Sequence, residues 1–109
     1  MDHQNAEYKK ELSALCNSIK KLVNEGDLVT CEKRIADAMS KYPHAPQPHN
    51  LMGVLYETKN DHVSAMKHFR AAWSLDPTYA PARHNLDNFA SFYGKKKFIY
   101  DENDIEMGG

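Results

Sequence analysis

The stretch Leu51–Asp61, LMGVLYETKND, places a glycine inside an apolar run with helical spacing. Glycine in a helix interior costs about 1 kcal/mol relative to alanine. A compensating gain is needed to offset that cost. The run stops at Asn60–Asp61. Asparagine tolerates the left-handed conformation that helix ends require, and aspartate can cap the next helix by accepting from its free N–H groups.

Helical spacing continues in both directions from this stretch. Upstream, Tyr8, Leu12, Leu15, Ile19 and Leu22 recur in steps of three and four until Gly26–Asp27. A second helix carries Cys31, Ile35, Ala38 and Met39 and stops before Pro43. After a proline-rich turn comes the helix of Gly53, and then one with Ala65, Met66, Phe69, Ala72, Trp73 and Leu75 that stops before Pro77. A fifth starts near Ala80–Pro81, runs through Leu86, Phe89 and Ala90, and is expected to end by Gly94. A shift of 34 residues lays Gly26 on Asn60, Asp27 on Asp61, Ile35 on Phe69, Ala38 on Ala72 and Pro43 on Pro77. A helix pair repeating at that period is the signature of an α-solenoid.

The segment 46–79 resembles a tetratricopeptide repeat, whose pattern is W-x2-L-G-x2-Y, then A-x3-F, then P. It reads His49-x2-Met52-Gly53-x2-Tyr56, then Ala65-x3-Phe69, Ala72 and Pro77, departing strongly only at His49. Segment 12–45 is a degenerate copy, with Ile19 and Cys31 at the places of Gly53 and Ala65. The resemblance implies an all-α, right-handed solenoid of antiparallel hairpins with about five helices. In that family Gly53 and the small Ala65 face each other across the hairpin seam, so the bulkier Ile19–Cys31 pair implies a wider first hairpin. The domain is expected over 1–94, with repeats 12–45 and 46–79 and a capping helix 80–93. Asp87 at the seam position of that last helix suits a solvent-facing cap. Residues 95–109 are expected to be a flexible tail, the alternative being that Phe98, Ile99 and Tyr100 dock on the solenoid or on a second copy.

The first helix of each unit would line an inner groove. The repeat register puts Cys16, Asn50 and His84 in one row, Asn17, Leu51 and Asn85 in the next, then Lys20, Val54 and Asn88, and then Val23, Glu57 and Ser91. The expected contacts for a bound peptide or helix are Asn17, Lys20, Asn50, Val54, Glu57, His84, Asn85 and Asn88. Amides bond a peptide backbone as donor and acceptor, and Leu51 and Val54 would supply an exposed apolar anchor. One subclass of the family clamps a C-terminal carboxylate with lysine, asparagine and arginine at the places of Cys16, Lys20, Leu51, Pro81 and Asn85. None matches, so that activity is not expected.

The remaining composition narrows the function classes. The 109 residues are 41% hydrophobic and 27% charged with net charge −1, which argues against a dedicated nucleic-acid binder. No run is long enough to span a membrane, and the polar start lacks the apolar centre of a secretory signal. A reduced, cytoplasmic protein is expected, with Cys16 and Cys31 unpaired. His44 and His49, and His62 and His68, lack the i, i+4 spacing of a helical metal site, so no metal or cofactor is expected. No nucleophile motif, phosphate loop or acid–base pair points to an enzyme. The expectation is a non-catalytic protein–protein interaction module, or alternatively a self-association module forming a homodimer or larger oligomer through helix edges and the tail.

Overall fold

The structure, a computed structural model, describes residues 2–90 and 97–105, the first five of these as backbone only. The end of the expected capping helix (91–93), Phe92, Tyr93, Gly94, Lys95, Lys96 and residues 106–109 lie outside the described residues, as does the side chain of His3. Five α-helices follow one another: α1 (Asp2–Asn24), α2 (Leu28–Lys41), α3 (Pro46–Thr58), α4 (His62–Leu75) and α5 (Ala80–Ala90), then a 3-10 turn at Glu102–Asp104. No strand occurs among the described residues. The chain is all-α, each helix packs on the next, and α3 also touches both α1 and α5.

Local chemistry sets the helix ends, and it recurs at 34 residues. Asp27 caps α2 by accepting from the Thr30 N–H, and Asp61 caps α4 by accepting from the Ser64 N–H, both at 3.2 Å. The residue before each cap is left-handed, Gly26 at φ 79° and Asn60 at φ 63°. Each exit is alike as well: Tyr42 N–H bonds Ala38 O and Asp76 N–H bonds Ala72 O. Proline at the start of α3 fits, because the first-turn N–H groups have no helical acceptor.

The core runs through all five helices. Ile19, Cys31, Ile35, Leu51, Val54, Ala65 and Phe69 are almost wholly buried in one cluster. Cys16 and Cys31 are both buried free thiols. The atoms nearest to where a Cβ on Gly53 would stand belong to the Phe69 ring, not to Ala65. The tightest approach to the glycine is thus made by a ring from α4, where the expectation named the small Ala65. Close backbone approach is extensive between α3 and α4 and much sparser between α1 and α2, where Ile19 and Cys31 occupy the seam. Asp87 on α5 is exposed beside Arg83.

Candidate functional site

The face where α1, α3 and α5 meet is occupied by the chain's own residues 97–105. Asn50 and Asn85 lie on adjacent helices, both fully buried, and form an amide pair through Asn85 Nδ2 to Asn50 Oδ1 at 2.8 Å. Together they read both backbone groups of one tail residue, Ile99. Ile99 O accepts from Asn50 Nδ2 (2.9 Å) and Asn85 Nδ2 (2.8 Å), and Ile99 N–H donates to Asn85 Oδ1 (3.0 Å). Asn88 Nδ2 donates to Lys97 O at 3.1 Å. Amides suit this work because each carries donors and acceptors and needs no particular side chain opposite.

Side chains of the tail extend the core. Phe98 stacks on Phe89 at 5.3 Å, and Phe89 in turn stacks on Phe69 at 6.2 Å. Tyr100 packs edge-on to Phe98 and lies in the main cluster. Its backbone N–H bonds Asp104 Oδ2, while Lys20 Nζ bonds Asp104 Oδ1 at 2.6 Å and sits over the Tyr100 ring. Burial pulls the Asp104 carboxyl upward, but the hydrogen bonds from Lys20 and Tyr100 outweigh it and hold it below the usual carboxylate range.

Of the eight residues expected to line the groove, Lys20, Asn50, Asn85 and Asn88 converge on the tail. Val54 is fully buried in the core beneath, and so is Leu51. Neither is the exposed anchor the register suggests, because both lie inside the core cluster that also takes in Tyr100 of the tail. Asn17 and His84 are exposed. Glu57 turns away to His62, 2.7 Å from its Nδ1. The 34-residue register pairs Asn50 with His84, whereas the observed partner is Asn85. Of the tail expected to be flexible, Ile99, Tyr100 and Asp101 are buried, which is the docked alternative. Docking on a hydrogen-bonded amide pair is what the sequence offers least sign of, since backbone recognition leaves no side-chain motif in the segment recognised.

A second constellation sits on the α3–α4 seam. His68 lies between His49 and Tyr56 in a three-ring stack, 5.4 Å from each, with the two histidine Nδ1 atoms 3.2 Å apart. One Nδ1 donates and the other accepts, the roles set by the tautomers of the two rings. Burial depresses both histidines, and His49 depresses His68 further. The folded chain thus takes up these protons at lower pH than the unfolded chain does. Stability is expected to be level above the ordinary histidine range, near pH 6.5, and to fall as pH drops through it. Denaturant midpoints at pH 7.5 and 5.5 check this, and His68→Phe should flatten the difference. Among the described residues no three His, Cys, Asp or Glu side chains stand close enough to hold a metal ion. No helix there is long and apolar enough to cross a membrane.

No family model, curated protein or solved structure matches the chain. The functional reading therefore rests on the geometry of this face.

Proposed function

We propose that the chain is a small solenoid of the tetratricopeptide-repeat type that binds an extended peptide segment of another protein and performs no chemistry. One observation carries the reading: a buried pair of asparagines, Asn50 and Asn85, bonds both the N–H and the C=O of one residue in an extended segment. Backbone recognition of this kind gives affinity for an extended chain, while neighbouring pockets select its side chains. The recurrence of caps and left-handed residues at 34 positions supports the repeat architecture. On this reading residues 97–105 hold the groove until a partner segment replaces them.

The test uses a labelled peptide of sequence KFIYDENDI, residues 97–105, with the full chain and with a chain ending at Gly94. The shortened chain, its helicity checked by circular dichroism, is expected to capture the peptide. The full chain should capture it more weakly, by about tenfold or more, because its tethered segment competes at a high effective concentration. Absence of saturable binding to a folded shortened chain would remove the groove from the account.

A second reading, self-association, is favoured by the same tail contacts. Residues 97–105 hold the helices through bonds that a second copy can make equally well, the exchange of an identical element between protomers. Light scattering across a concentration series decides it. A monomer throughout, in the full chain and the shortened one alike, leaves only the first reading.

A further inference from the structure

The 3-10 turn closes a separate, partly enclosed cavity of about 380 Å³ on the other side of the tail. Its walls are α1 (Lys9, Cys16), the start of α3 (Gln47), the turn before α5 (Asp76, Tyr79) and Asp101–Asn103 of the tail. This volume lies within the range of small-ligand sites. Two features ask for an occupant. The Tyr79 hydroxyl, on a side chain left only 5% exposed, and the Gln47 Oε1 are both buried without a hydrogen-bond partner. Buried polar atoms are nearly always paired, and the Cys16 thiol beside the Tyr79 hydroxyl is a weak donor and acceptor that falls short of full hydrogen-bond geometry.

The second feature is charge. Three carboxylates, Asp76, Asp101 and Glu102, line the cavity against one ammonium, the exposed Lys9. Among the described residues none of the three is in an ion pair. Their field reaches the buried groups. Burial first, then Asp101 and Glu102, push the Cys16 thiol up to about 12, and burial, then Cys16 and the same two carboxylates, raise the Tyr79 phenol as well. The carboxylates are too dispersed to chelate a metal ion. They suit a ligand that spreads several N–H donors over a few ångströms.

We propose that this cavity binds a small organic cation, an ammonium or guanidinium group whose N–H donors reach Gln47 Oε1, the Tyr79 oxygen and the Glu102 carboxylate. Such a group can be a free amine or the end of a lysine or arginine side chain. Because Asp101–Asn103 forms one wall, the bound cation also holds the tail on the helices. The site needs the docked turn but no partner in the groove, so it stands or falls apart from peptide binding.

Titration of the full chain with agmatine, spermidine and acetyl-Gly-Arg-Gly-amide, followed by calorimetry and amide chemical shifts, tests it. Tetramethylammonium, a cation without N–H donors, is the control. Saturable binding of agmatine or spermidine, with shifts confined to residues near 47, 79 and 102, is expected for a free amine. Binding of the peptide alone assigns the site to a protein side chain. Tyr79→Phe should weaken binding about fivefold, the value of one hydrogen bond to an uncharged acceptor. Glu102→Gln should weaken it about tenfold, as charge-assisted bonds are stronger. The unliganded Tyr79→Phe chain should melt close to the parent, since the hydroxyl removed has only the weak Cys16 thiol beside it. No saturation by any probe at millimolar concentration, equal binding of tetramethylammonium, or unchanged affinity in both variants would overturn the proposal.

Discussion

Gly53→Ala is expected to lower the thermal midpoint by about 10 °C, a loss of roughly 2 kcal/mol, although alanine is the better helix former. A Cβ at this position would stand 2.5 Å from Phe69 Cδ1 and 2.9 Å from its Cζ, far inside van der Waals contact. The ring has nowhere to go. Phe69 is fully buried and stacked on Phe89, which is itself covered by Phe98. Overpacking of a close-packed site costs about 1–3 kcal/mol and sometimes more, while the propensity gain is only about 1 kcal/mol. The clash therefore wins. Gly26→Ala is the contrast: nothing lies within 4 Å of a Cβ there, but the backbone sits at φ 79°, so its cost is conformational, about 1–2 kcal/mol. Phe69→Leu should recover part of the loss in the Gly53→Ala background while costing stability alone. Melts of the four proteins close a double-mutant cycle. A Gly53→Ala chain that melts higher than the parent would mean that the seam yields and that the glycine is not there for close approach.

The helices and their ends were legible because the signals are local. An aspartate three residues before a free N–H, a left-handed residue before it, and apolar steps of three and four act within a single turn of chain. Gly53 was legible as a place of close approach, but its neighbour was not. Which side chain fills a gap depends on the rotation of α4, and Phe69 lies one turn beyond Ala65. The site divides in the same way. The repeat register brought Lys20, Asn50, Asn85 and Asn88 to one face because their spacing is helical. It missed that Leu51 and Val54 are buried, because the core cluster that holds them takes in Tyr100 from far along the chain: Asn50 bonds a residue 49 positions away and Lys20 one 84 positions away. An apolar triplet, Phe98–Tyr100, was the trace of that docking in the sequence. The cavity beyond it left no trace at all, since Gln47, Tyr79 and Glu102 come from three separated segments and meet only once the tail is seated.

Asn85→Ala should release that tail and cost about 3 kcal/mol. The Asn85 side chain makes three buried hydrogen bonds, two of them to Ile99 and one to Asn50. Alanine strands the Ile99 N–H and the Asn50 Oδ1, while the Ile99 carbonyl keeps Asn50 Nδ2. Each stranded buried group costs about 1–3 kcal/mol. The chain has a way to limit this: residues 97–105 can leave the face and hydrate. The loss is therefore bounded by the free energy with which the tail docks, and Asn85→Ala should converge on the chain ending at Gly94. Shortening the variant should then change its midpoint little, whereas shortening the parent should change it as much as the substitution does. Lys20→Ala leaves Asp104, a carboxylate only 9% exposed, with the Tyr100 N–H but no cation, so it should cost about 1–2 kcal/mol and leave the tail seated. Hydrogen exchange reads the difference directly. The Ile99 amide should be protected in the parent and in Lys20→Ala, and exchange freely in Asn85→Ala. If that amide stays protected without Asn85, the asparagine pair does not hold the segment, and the aromatic column of Phe69, Phe89 and Phe98 must hold it instead.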